Sequence, residues 1–210
     1  DDASTDGSKK ILKRYKDIKN IKIIFNRRKL GLIRSSNLAI KYSKGDFILR
    51  LDADDYLSTN AISIMLKSLI KRKNFKMIFP DFFYVNSSSK IISKYKYKHK
   101  SRYNLSDSPA HGACSLIDLK FLKKIGGYNN KFDCQDGHYI WYKIISEKKY
   151  ICHLSKSVFY YRKHKKNLSK NRKKILMTRL KIINFFLKKK KNYKQFEKIK
   201  TLKEKEIKNL

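Results

Sequence analysis

The stretch Gly45-Asp46-Phe47-Ile48-Leu49-Arg50-Leu51-Asp52-Ala53-Asp54-Asp55 constrains this chain more than any other: an apolar strand ends in three carboxylates within four residues. Like charges that close repel one another and need a counter-cation. Acids are outnumbered three to one here, 17 against 53 Lys and Arg, so this density is not drift. In an open α/β sheet, ligands bind at the carboxyl ends of the strands. Two oxygens from such a strand-end loop can hold Mg²⁺ or Mn²⁺, which usually also takes substrate phosphates. The plain alternative is a solvated acidic turn that caps the next helix.

The surrounding pattern supports a layered α/β fold. Ser4 or Thr5 can cap a helix running to about Tyr15, and Ile21–Phe25 reads as a buried strand. Arg34–Tyr42 reads as a helix, Phe47–Leu51 as a strand, Ala61–Ile70 as a helix capped by Ser58 or Thr59, and Met77–Phe79 as a strand. This order predicts a mainly parallel sheet flanked by helices. Phe82–Val85 and Ile91–Tyr97 then read as a hairpin, and Leu119–Ile125 and Gly137–Ser146 as helices. The Gly126-Gly127 turn follows the first of these helices, and Val158–Tyr161 is a short strand. A break near Asn167 divides a domain over 1–169 from a basic helical tail over 170–210.

Composition removes several classes. With 41% hydrophobic and 13% aromatic residues, the 210-residue chain is too apolar for a disordered polycation. No apolar run approaches the roughly 18 residues of a membrane-spanning helix. Cys114, Cys134 and Cys152 are odd in number and scattered, which favours a reducing compartment over a disulfide framework. The chain starts at Asp1 within a formed motif, so it reads as a fragment or as having a start further upstream.

The net charge of +36 invites a nucleic-acid reading. The lysines are spread everywhere, alongside abundant Ile and Asn, so AT-rich coding is the simpler source. Residues 171–210 hold 15 basic and 3 acidic side chains. Ile175, Leu176, Leu180, Ile183, Phe186 and Leu187 recur there at helical spacing. Such a helix suits either an anionic membrane surface or the flank of its own domain.

Four segments in order carry a resemblance: DDASTDGS, NRRKLGLIRSSNLAIKYSKGDFILRLDADD, GGYNNKFDCQDGHYIWYKI and FYYRKHKKNLS. Together, over residues 1 to about 169, they resemble family 2 glycosyltransferases with the Rossmann-like GT-A fold. The resemblance implies that Asp2, with Asp1 beside it, faces the base or ribose of a nucleotide donor, and that Arg34 approaches its diphosphate. It implies that Asp52 and Asp54 form the DXD pair, Asp54 binding metal and Asp52 lying nearer the ribose. His164 would complete the metal site, Asp136 would be the catalytic base, and Gly112 would lie near donor and acceptor. Gln135 stands where the family usually has Glu, which puts an acceptor-orienting role there in question. Arg162, with Arg34, would balance diphosphate charge. The family's first strand and helix are expected to be missing.

The implied activity is metal-dependent, inverting transfer of a sugar, with UDP-sugars the family's common donors, to a hydroxyl of a glycan or lipid-linked acceptor. The implied setting is cell-envelope glycan or polysaccharide synthesis, in the cytoplasm or on the inner face of the membrane, with Mn²⁺ or Mg²⁺ as cofactor. From the residues alone, Asp136 reads first as a helix N-cap, His164 has the plain alternative of a surface histidine in a basic loop, and Trp141 and Tyr142 read as core. His111 and His138 receive no role. The rival classes are a basic protein that coats nucleic acid or another polyanion and an inactive remnant of the fold. A nucleic-acid partner is disfavoured, because it leaves the Asp52–Asp55 cluster without a purpose.

Overall fold

The computed structural model describes residues 1–72, 74–97, 112–165, 167, 171–189 and 194–209. His111 and the 169/170 boundary lie outside the described residues.

The chain runs α1 (Ser8–Lys13), α2 (Leu32–Tyr42), β1 (Phe47–Leu49), β2 (Tyr56–Leu57), α3 (Ala61–Ile70), β3 (Phe75–Val85) and β4 (Ile91–Tyr95). A short 3₁₀ turn at Gly112–Cys114 leads to β5 (Leu116–Asp118), α4 (Leu119–Lys124), α5 (Asp136–Ser146), β6 (Tyr150–Arg162), α6 (Arg172–Lys189) and α7 (Lys194–Lys208). The sheet order is β1-β5-β3-β6-β2, with β4 paired to β3. β3 and β6 pair in parallel. β5 runs antiparallel to both β1 and β3, so β1, β3 and β6 share one direction. These co-directional strands are the frame that the helix–strand order calls for. Antiparallel pairing is more extensive than the sequence implies, because β5, β2 and β4 are inserted against that frame.

β3 is one strand where two are expected, and it carries Pro80 through its middle. A proline removes one ladder hydrogen bond and is tolerated at irregularities. The β3–β6 register shifts on both sides of Asp81, which is where the irregularity lies. Ile21–Phe25 forms no strand. Its backbone makes local and terminal contacts instead: Ile21 N donates to Ile18 O at 2.9 Å, the Asp1 ammonium donates to Ile24 O at 2.8 Å, and the Asp1 carbonyl accepts from the adjoining Asn26 N at 2.9 Å. Ile21 and Phe25 consequently stay exposed, at 42% and 39%. α1 starts later than expected, at Ser8 after Gly7, and buries nothing. The acids ahead of it make turns instead: Ser4 N donates to Asp1 Oδ1 and Ser8 N to Asp6 Oδ1.

One face of the sheet packs α3 through Ala61, Met65 and Leu69 against Ile78, Leu116 and Cys152. The main core gathers α2, α4, α5, α6 and α7 around Trp141, Tyr142 and Phe186. Trp141 and Tyr142 are core, at 2% and 0% exposure. Of the tail residues, Ile183 and Phe186 are buried in this cluster, Leu187 packs against it and Leu176 is also buried, so the apolar side of α6 faces its own domain. The three cysteines are free thiols. Among the described residues, no helix is long and apolar enough to cross a membrane.

Candidate active site

A cavity of about 960 Å³ opens between α2, the loop after β1, the start of α5 and the start of α6. Asp52 and Asp54 reach it because the strand ends at Leu49 and the chain turns, with Asp55 N donating to Asp52 O at 3.1 Å. Asp136 reaches it from the opposite wall as the first residue of α5. It is not the N-cap: Gln135 takes that position, in the left-handed conformation at φ 61°. Asp136 is 7% exposed, and a buried carboxylate needs a partner.

That partner is Arg50. Arg50 Nη1 pairs with Asp136 Oδ2, and Arg50 Nε lies 3.0 Å from Asp52 Oδ1. One guanidinium thus bridges Asp52 and the carboxylate on α5. Burial alone would lower its pKa, but Asp136 and Asp52 outweigh that and hold it above its ordinary value. Burial pushes Asp52 above the usual carboxylate range; Arg50 counters, while Asp136 and Asp54 push further upward. Tyr128, on the same wall, is pushed up to about 12 by burial and by Asp136 and Asp52.

Asp54 Oδ2 lies 2.7 Å from His164 Nε2. An imidazole nitrogen and a carboxylate oxygen directed at each other form a donor pair suited to Mn²⁺ or, with more oxygen ligands, Mg²⁺. Among the described residues, no three His, Cys, Asp or Glu side chains cluster as a ready-made cage. The chemistry of the pair fits an ion completed by substrate oxygens and water. Beside it, Asp55 is buried, accepts from Arg162 N at 2.8 Å, and is raised to about 7, chiefly by burial.

Gly112 lies against Asp136. A Cβ there would stand 3.0 Å from Asp136 Oδ2 and 3.4 Å from Gly137 backbone atoms. Gln135 Oε1 accepts from Arg179 Nε at 2.8 Å, so α6 reaches the cavity and both residues line it. His138 also lines the cavity; burial, then Arg179 and Lys203, hold its pKa well below the ordinary histidine value.

Four expected site residues sit apart from the cavity wall. Asp2 accepts from Leu30 N at 2.7 Å, Gly31 N at 2.8 Å and Asn26 Nδ2 at 3.0 Å. Burial alone would raise it, but these bonds, with one to Ser35, bring it down to about 2. Its carboxylate therefore fastens the 26–31 turn that launches α2. Asp1 fastens the neighbouring segment through Ser4 and Ile24. Arg34 is exposed on α2. Arg162 donates Nε to Asp54 O, Nη1 to Asn86 O and Ser87 O, and Nη2 to Ser89 Oγ. It thereby staples the carboxylate loop to the β3–β4 turn. Arg50 and Arg179 are the residues that the sequence reading missed.

The fold and this cleft define a class. S. aureus TarS 1-349 in complex with UDP-GlcNAc superposes with a TM-score of 0.67 at 19% identity, over 89% of this chain and 56% of that one. The mannosyltransferase PcManGT from Pyrobaculum calidifontis, in complex with GDP-Man and Mn²⁺, gives 0.69 at 14% identity, over 99% and 58%. The architecture is the GT-A glycosyltransferase fold.

The family model for glycosyl transferase family 2 matches residues 1–126, and the chain belongs to that family. Chondroitin synthase of Pasteurella multocida (strain Pm70) is 26% identical over 134 residues, which is 63% of this chain and 14% of that protein. The Escherichia coli UDP-Glc:alpha-D-GlcNAc-diphosphoundecaprenol beta-1,3-glucosyltransferase WfgD is 25% identical over 148 residues, 70% of this chain and 56% of that protein. The chain thus spans about half of WfgD and a far smaller part of the synthase.

Proposed function

We propose that the protein transfers a sugar from a nucleotide diphosphate donor to an acceptor hydroxyl, inverting the anomeric centre. The observation that carries this reading is the meeting of Asp52, Asp54 and Asp136 in one cavity, with Arg50 between the two walls. Asp136 takes the proton of the incoming hydroxyl as general base. The acceptor oxygen bonds the anomeric carbon from the face opposite the diphosphate. The carbon–oxygen bond to the diphosphate breaks, and its electron pair leaves on the diphosphate. Asp52 faces the ribose side, and Asp2 serves the nucleotide pocket by holding the 26–31 turn. Arg34 lies on the helix that this turn begins, placed to meet diphosphate charge from outside. Mn²⁺ or Mg²⁺, held by Asp54 and His164, would supply the positive charge that offsets the leaving group.

UDP-sugars are the favoured donors, supported by the UDP-Glc in the name of WfgD and the UDP-GlcNAc in the TarS complex. The acceptor class is a glycan end or a lipid-linked sugar, supported by the diphosphoundecaprenol in WfgD's name. The setting is glycan assembly at the inner membrane surface, where the exposed Arg172, Lys173, Lys174 and Lys181 of α6 supply peripheral contact with anionic lipid.

Calorimetry with and without Mn²⁺ tests the donor half. Asp54→Ala is expected to remove ion-dependent binding of a UDP-sugar, and unchanged binding would overturn the ion site. Asp136→Asn is expected to retain donor binding and lose transfer. Near-normal turnover would remove Asp136 from its role.

A further inference from the structure

Arg50 joins Asp52 to the proposed base Asp136, and glycosyl transfer as proposed gives it no task. We propose that Arg50 is a positioning residue: it clamps Asp136 by one carboxylate oxygen, presents the other to the acceptor hydroxyl, and ties the base to Asp52. This inference rests on the glycosyl-transfer reading.

Three observations carry it. First, Asp136 Oδ2 is enclosed from two directions. Arg50 Nη1 pairs with it on one side, and the bare Cα of Gly112 leaves it just enough room on the other. Oδ2 is therefore spoken for, and Oδ1 is the oxygen left to receive a proton. Second, the clamp is built on rigid parts. Arg50 directly follows β1, whose register is fixed by β5, and Asp136 begins an 11-residue helix whose side chains form the main core. Two carboxyl-bearing elements on opposite walls are set at a fixed distance by one planar fork. Third, the same fork reaches the other carboxylate: Arg50 Nε lies 3.0 Å from Asp52 Oδ1. One planar group thus ties the base to Asp52.

Lysine cannot substitute fully, because an ammonium is a point donor and does not span two carboxylates in a fixed fork. Misplacing a base by about 1 Å can cost on the order of a hundredfold in rate. The expected result for Arg50→Gln is thus a loss of roughly a hundredfold in kcat, with UDP-sugar binding in Mn²⁺ kept within about threefold. Arg50→Lys should recover part of that loss.

A double-mutant cycle tests the proposal. Arg50→Gln and Asp136→Asn are made singly and together, and each protein is assayed for melting temperature, for UDP-sugar binding and for transfer. The proposal expects non-additive changes in melting temperature, and no further loss of rate from Arg50→Gln once Asp136 is Asn. Additive changes in melting temperature would overturn the clamp. Equal losses of rate and donor binding in Arg50→Gln would reassign Arg50 to donor binding and overturn the positioning role. An unaltered chain that binds the donor yet transfers nothing would overturn the transfer reading instead, and the melting cycle still reports on the clamp in that case.

Discussion

Gly112 earns its place through a missing atom. An alanine Cβ would press on Asp136 Oδ2 at 3.0 Å and on the start of α5 at 3.4 Å, so the carboxylate would have to give by a few tenths of an ångström. Gly112→Ala is expected to cut transfer by roughly tenfold, short of the loss for a full 1 Å displacement, while leaving UDP-sugar affinity unchanged. Kinetics alongside calorimetry would check it, and a parallel loss of affinity would count against it. Asp55 offers a second test at this scale. Its carboxyl is raised from 3.8 to about 7, first by burial and then by Asp54 and Asp52, against the Arg162 backbone bond that lowers it. From about pH 4 to 7 the unfolded chain has lost a proton that the folded chain keeps, so this group makes stability fall as pH rises through that window and level off above it. Asn in its place keeps an acceptor for Arg162 N and does not titrate. Asp55→Asn should therefore gain on the parent in melting temperature between pH 4 and 7, and a constant difference across that range would refute the account.

At the scale of elements, α6 fastens the tail to the main core. Phe186 is 6% exposed, stacks on Phe196 at 5.6 Å and meets Tyr142 edge-on at 5.9 Å. Phe186→Ala is expected to cost about 3–5 kcal/mol in urea denaturation, and to weaken transfer as Arg179 loses its footing beside Gln135. A cost under about 1 kcal/mol would mean that α6 is loosely attached. Some elements were open to reading from sequence and others were not, for physical reasons. α3 falls on Ala61–Ile70, as its apolar spacing predicts. The carboxylates after β1 were legible because three acids in a basic chain demand a purpose. β6 runs from Tyr150 to Arg162, yet only its apolar end reads as a strand, since Ser155, Lys156 and Ser157 interrupt the alternation at the irregular register beside Asp81. β2 and β5, of two and three residues, are too short to leave a periodic signal. Arg50 was overlooked as one more basic residue among 53, although a lone charge between Leu49 and Leu51 in an apolar run has to find a buried partner. Arg179 was hidden the same way among the tail's lysines.

Taken whole, the molecule has an inverted charge layout: an exterior dominated by its +36 net charge surrounds a cleft whose own charged lining includes Asp52, Asp54 and Asp136. The proposed donor carries a diphosphate, which the exterior attracts and the carboxylates of the cleft, only partly offset by Arg50 and His164, oppose. Long-range attraction acts on the approach of a ligand, and it is screened once the distance exceeds the Debye length, about 10 Å at 0.1 M salt. Contacts inside the cleft are shorter than that and are screened far less. Salt should therefore act on association and spare dissociation. For a fluorescent UDP-sugar analogue in excess Mn²⁺, stopped-flow mixing between about 0.02 and 0.5 M KCl is expected to show the association rate falling by about tenfold or more. The dissociation rate should change by less than about twofold. A neutral sugar acceptor should show no such dependence, which separates steering from a general effect of salt on the protein. If dissociation instead rises as steeply as association falls, the lysines are gripping the bound diphosphate directly. The broad exterior charge would then be part of the site, and the separation between a steering surface and a carboxylate-lined cleft would fail.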